Sequence, residues 1–143
     1  MAEKTPQTFA NHTRWDPLFH FFLAPVSLVL FVWAIIHLAR HYSHEAVAFV
    51  VFALLLFLTI FMTRTYALKV QDRVIRLEER LRLTSLMPAG AKIPELAERQ
   101  LIALRFACDA ELPGLAHKAA SQQLGGKQIK QEIQTWRPDY WRV

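Results

Sequence analysis

The sequence predicts an all-α protein: a transmembrane helical hairpin whose second span extends into a cytoplasmic stalk, followed by a small bundle of three short helices. Three observations carry this expectation. Two long apolar runs flank a short polar one, no helix breaker occurs between Ala46 and Met87, and three short helical patterns punctuated by Pro and Gly close the chain. The 143 residues are 53% hydrophobic and 20% charged, with a mean hydropathy of +0.17, which excludes both disorder and an average soluble domain. The net charge of +5 is local. Residues 1–45 sum to zero and residues 63–143 carry the whole excess.

The chain divides by composition into an N-terminal cytoplasmic segment (1–17), the hairpin (18–62), the stalk (63–87) and a cytoplasmic helical domain with an aromatic tail (88–143). From Leu18 to Leu38 runs a stretch of 21 residues without Asp, Glu, Lys or Arg, enough at about 1.5 Å per residue to cross a hydrocarbon core of roughly 30 Å. Asp16 followed by Pro17 predicts its start, since Asp can cap orphan amides and Pro fits the first helical position. Pro25 cannot donate to the Phe21 carbonyl and predicts a bend. The run is too long for a signal peptide, and no small-residue cleavage pattern follows it.

The second run, Ala46–Met62, has 17 residues with Thr59 as its one polar side chain, at the short end of the spanning range. The seven residues Ala39–Glu45 leave room only for a turn between antiparallel helices. Trp15, Tyr42 and Tyr66 stand where aromatic rings prefer the headgroup layer. Arg64, Lys69, Arg73, Arg76, Arg80 and Arg82 crowd the exit of the second span, which predicts a bacterial inner membrane location with both termini cytoplasmic.

Beyond the membrane, Val70, Val74, Leu77 and Leu81 recur at steps of four, three and four, the a/d seam of a coiled coil, and Asp72 with Arg76 and Glu78 with Arg82 are spaced as i,i+4 ion pairs. The seam can face another chain or this chain's own C-terminal helices. A helix is expected within 95–107, another from an Asp109 cap to Leu124 ended by Gly125 and Gly126, and a third over Lys127–Trp136. Trp136, Tyr140 and Trp141, set among arginines, are expected to dock on a partner protein.

Four stretches together resemble a known family: ANHTRWDPLFHFFLAP at 10–25, TYALKVQDRVIRLEERLRL at 65–83, QLIALRFACDAELP at 100–113 and KQIKQEIQTWRPDYWRV at 127–143. It is a bacterial family of two-span membrane proteins catalogued as a domain of unknown function. The resemblance implies the same architecture and supplies no catalytic residue. Cys108 stands where relatives more often carry a small polar residue, which argues against thiol chemistry there.

Candidate chemistry is sparse. His37, His41 and His44 would share one face and could ligate a metal if helix continued through the turn, although they equally suit an interfacial polar cluster. Haem ligation by His20 or His37 would need a second axial histidine, and the second span has none. LGGKQIK at 124–130 lacks the spacing of a phosphate loop. The basic stalk is interleaved with Asp72, Glu78 and Glu79 and begins at the membrane, so topology and anionic lipid explain it and no nucleic acid is expected. No enzyme activity and no cofactor are expected. Two spans without glycine lack both a GxxxG interface and the repeats of a transporter.

The functional expectation is therefore a non-catalytic accessory subunit of a larger inner-membrane complex, with a respiratory or photosynthetic electron-transfer assembly as a candidate host. Its partners would be membrane lipids and other integral membrane subunits. The alternative is a membrane-tethered homodimeric regulatory adaptor, joined through the stalk and recruiting a cytoplasmic partner.

Overall fold

A computed structural model describes residues 6–140, and every regular element among them is helical. A π-helical turn, Phe19–Leu23, leads into α1, Ala24–Arg40; α2 is His44–Leu86, α3 Glu98–Leu104, α4 Leu112–Ser121 and α5 Gly126–Glu132. These group into two compact units. One is the hairpin, residues 15–69; the other joins residues 6–14 to residues 70–140.

In the hairpin, the backbone is helical from Pro17 and the Asp16 carboxylate accepts from the Phe19 amide at 3.1 Å, the N-cap that the Asp-Pro pair predicts. That amide is the main reason the Asp16 carboxyl lies below its usual range; partial desolvation opposes it and the Arg64 guanidinium adds to it. Where Pro25 predicts a bend, the helix instead widens. Ala24 donates back to Phe19 across the π turn, which accommodates a ring that would crowd the carbonyl one turn earlier.

The connection is tighter than the polar run predicts: three residues, His41 to Ser43, separate the helices. The Ser43 hydroxyl accepts from the Ala46 amide at 3.1 Å and starts α2. Phe19 meets Phe61 edge-on at 5.6 Å and Phe31 stacks on Phe57 at 6.1 Å, so the helices run antiparallel. The buried residues here are small: Ser27 and Ala34 on α1, Ala46 and Ala53 on α2. Each pair is seven apart, a repeat that keeps small side chains on one face and lets backbones approach without glycine. The hydroxyls of Thr59, Thr63 and Thr65 bond the carbonyls four residues earlier, so none is left unsatisfied.

Both apolar helices are long enough to cross a membrane, and only 11% and 6% of their most apolar windows are buried within the chain. A core helix of a soluble domain would be mostly covered.

The second unit is built around the C-terminal end of α2. Leu83, Leu104, Phe106, Leu112, Ala116 and Ile129 form its centre, with Trp136 packed against them. The first short helix, Glu98–Leu104, lies within the expected 95–107. Three other expectations are corrected, among them the last helix, which stops at Glu132 rather than Trp136. Asp109 does not cap α4, which begins at Leu112 with Pro113 in its first turn, because the Asp109 carboxylate is held by Arg82 at 2.6 Å. The glycines do not end α4 either. It closes at Ser121, and Gln123 adopts the left-handed conformation at φ 52° while Leu124 donates to Ala119 at 3.0 Å, a Schellman ending with Gln where Gly is usual. Gln123 bonds the Ala120 carbonyl with its own side chain at 2.8 Å. Gly125 and Gly126 instead open α5, which stops at Glu132, and a Cβ on Gly126 would sit 3.4 Å from the Arg99 carbonyl.

Candidate interface on the long helix

At 3.6 residues per turn, Ile75, Glu79, Leu83 and Leu86 share one side of α2, and Val70, Val74, Leu77 and Leu81 share the opposite side. The first set faces the domain: Ile75, Glu79 and Leu83 are buried and Leu86 packs on the core. The second is 48–63% exposed at every position. The chain's own C-terminal helices therefore do not cover the seam. Covering both faces at once would require them to surround the helix.

The i,i+4 ion pairs expected along the stalk are replaced by others. Arg76 pairs with Glu98 rather than with the Asp72 carboxylate. Arg82 turns from Glu78 to Glu79 (2.9 Å) and Asp109, and also donates to the Ala107 carbonyl at 2.7 Å. Glu79 is 4% exposed. Burial raises its carboxyl above the usual range, opposed by Arg82 and, at 3.5 Å, by Arg137. Three segments, α2, the loop after α3 and the chain beyond α5, thus meet at the Glu79–Arg82 pair, the loop through Arg82 and Arg137 through Glu79. Gln100 plays the neutral counterpart: its amide donates to Ala119 and Leu124 and accepts from the Ala97 backbone, satisfying a buried side chain and tying α3 to the end of α4. A lone Gln in an apolar helical pattern was the available signal for it.

The aromatic tail has an unexpected place. Trp136, expected to face a partner, is partly buried in this chain's own core, 5.1 Å from Phe106 and 5.6 Å from His12. Around it Arg137 donates to the Phe106 carbonyl at 2.7 Å, Cys108 donates to Thr135 at 3.2 Å, and Glu111 accepts from the amides of Gln134 and Thr135. The Tyr140 carbonyl accepts from Arg14 at 3.1 Å. Trp141 lies outside the described residues.

The histidines near the turn do not assemble a ligand set. His37 and His41 bring their rings to 5.4 Å and Trp33 stacks on His37, but α1 ends at Arg40 and His44 begins α2, so the continuous helix that would align all three is absent. Among the described residues no group of three or more His, Cys, Asp or Glu is placed to hold a metal ion. His20 lies with Nδ1 2.9 Å from the Asp16 carbonyl and its ring against Trp15 and Phe19. A cleft of about 390 Å³ beside α2 has a mostly apolar wall of Leu83, Ile93, Pro94, Leu96 and Leu101, with Arg80, Thr84 and Glu95 as its polar lining.

What remains as a site is the exposed seam, in a chain whose whole length matches one family profile. The chain belongs to DUF6526, a family of unknown function. The match covers residues 1–143. No curated protein and no solved structure matches the chain. DUF6526 therefore places the sequence without lending it an activity.

Proposed function

We propose that the protein is a non-catalytic structural subunit of a larger bacterial inner-membrane assembly, anchored by the hairpin and joined to its neighbours through the stalk. The observation that carries this reading is the seam of Val70, Val74, Leu77 and Leu81, apolar and exposed on the side of α2 opposite the domain. An exposed apolar stripe flanked by charges marks a protein contact. The low burial of both apolar helices supports a lipid environment, and the basic residues from Arg64 to Arg82 support a cytoplasmic stalk with both termini on that side. A respiratory or photosynthetic complex is a host of suitable architecture.

The test is gentle solubilisation of the full chain from its own membranes, affinity recovery, mass spectrometry and an absorption spectrum of the same fraction. Stoichiometric recovery of larger integral membrane subunits is the expected result, and any pigment would identify the host. Recovery as a small homo-oligomer without such subunits would overturn it in favour of a tethered homodimeric adaptor.

A further inference from the structure

We infer that the stalk seam is covered by the same seam of a second copy of this chain, the two helices running parallel. This names the neighbour joined through the stalk as a second copy, leaves the hairpin to meet any other subunits, and rests on the assembly reading for the membrane anchorage. The register follows from the spacing. With Val74 and Leu81 at a, Val70 and Leu77 fall at d, Arg73 and Arg80 at g, and Gln71 and Glu78 at e. The central pair, Val74 at a and Leu77 at d, is the combination that favours two strands, while Val70 at d and Leu81 at a add nothing to that preference.

The flanking charges choose the orientation. In a parallel pair each g residue faces the e residue five positions later on the partner helix, so Arg73 meets Glu78 of the second copy, twice by symmetry. Arg80 then faces Ser85, a neutral contact. In an antiparallel pair g faces g, which sets Arg73 against Arg80 across the interface at both ends. Both members of the parallel pair are available. Arg73 and Glu78 are exposed and make no ion pair among the described residues, because Arg82 is engaged by Glu79 and Asp109.

Two heptads in isolation bind weakly. Two hairpins in one bilayer with the same orientation hold their stalks parallel and raise their effective concentration. In this register Ala67 precedes Val70 on the seam and the polar Thr84 follows Leu81, and the buried face of α2 is untouched by the stripe.

The experiment uses the full chain in membranes. In a Cys108→Ala background, Leu77→Cys is oxidised and the crosslinked fraction compared with Gln122→Cys, an exposed position off the seam. The expected result is a dominant dimer for Leu77→Cys and a background level for Gln122→Cys. Added Glu78→Arg or Arg73→Glu should each lower the dimer several-fold. Chains carrying one change each, differently tagged and co-expressed, should prefer each other by about tenfold, since both pairs swing from repulsion to attraction. Crosslinking of Leu77→Cys no greater than Gln122→Cys overturns the second copy as occupant. Efficient crosslinking with no preference between the charge variants overturns the parallel pairing. If the dimer fails while larger subunits still co-purify, the assembly reading stands alone; if the dimer forms and none co-purify, only the assembly reading falls.

Discussion

Between His44 and Lys69 the long helix shows apolar side chains on most of its circumference, with Phe49, Phe52, Leu55, Leu58 and Phe61 all exposed. Between Val70 and Leu86 the same helix is divided: one side is buried in a domain, the other carries a single apolar stripe, and charges fill the intervals. The two halves share one helix and differ in the surface they present. An all-round apolar surface is matched by a solvent that is itself apolar and needs no register. A stripe bordered by Arg73 and Glu78 has a definite width and a definite charge order, and only a surface of matching pattern satisfies it.

Substitutions can break or sharpen that contrast. The largest effect is expected for Arg82→Ala, about 3–5 kcal/mol, because it strips the buried Glu79 carboxylate of its nearest cation. Hydrogen exchange of the amides of residues 103–107 should report it, and unchanged protection would mean the cluster is peripheral. Leu83→Ala removes a fully buried side chain and should cost about 2–5 kcal/mol by the same measurement. Leu55→Ala, 57% exposed, should stay within about 0.5 kcal/mol; equal losses at the two positions would erase the distinction between the halves. Ala53→Leu overfills the small-residue face of the hairpin and should cost about 1–3 kcal/mol, seen as a lower melting temperature in detergent.

Smaller effects follow. Glu79→Gln should cost no more than about 1 kcal/mol, since Arg82 retains Asp109 and the Ala107 carbonyl. Because burial raises the Glu79 carboxyl, the folded chain holds that proton more tightly than the unfolded chain. The resulting stabilisation is present below the usual carboxylate range and is lost as pH rises through the raised value. Wild type should therefore gain on Glu79→Gln as pH falls, and melting curves with the opposite slope would contradict the burial. Least of all, Leu77→Ser should leave the fold within about 0.5 kcal/mol, any larger drop in protection of residues 103–107 showing that the seam is part of the domain.

The long elements were legible because their signals are local and repeated. Asp16-Pro17 starts a helix wherever it precedes an apolar run, and 43 residues without a breaker leave α2 no reason to stop. Pro25 announces a missing hydrogen bond but not its remedy, since a bend and a wide turn remove the same clash. The short helices were less legible because distant partners outbid local preference. Asp109 is a good cap in isolation, but Arg82, 27 residues earlier, takes its carboxylate. Gly125 and Gly126 read as a stop, yet they open α5, with Gly126 packed beside the Arg99 carbonyl and the Gly125 amide donating to the Gln128 side chain. The seam was visible as a pattern, but nothing in its spacing distinguishes a face that meets another chain from one that folds onto its own. That took the position of Ile75 and Leu83 on the far side of the helix. Trp136 carries an interface composition and sits in a core, because an aromatic ring with a polar edge suits either.

Gln7 donates to and accepts from the Asp139 backbone, at 3.1 and 2.9 Å. These bonds join residues 132 positions apart, and both apolar helices lie in the chain between them. The contact cannot close until residue 139 has left the ribosome, by which time both apolar helices have been synthesised. Loop closure over such a length is slow relative to the local helices and contributes no early nucleus. Attachment of residues 6–14 to the rest of their unit therefore follows synthesis of both apolar helices. A protease cutting after Asn11 would read out, chain by chain, which molecules had made that attachment.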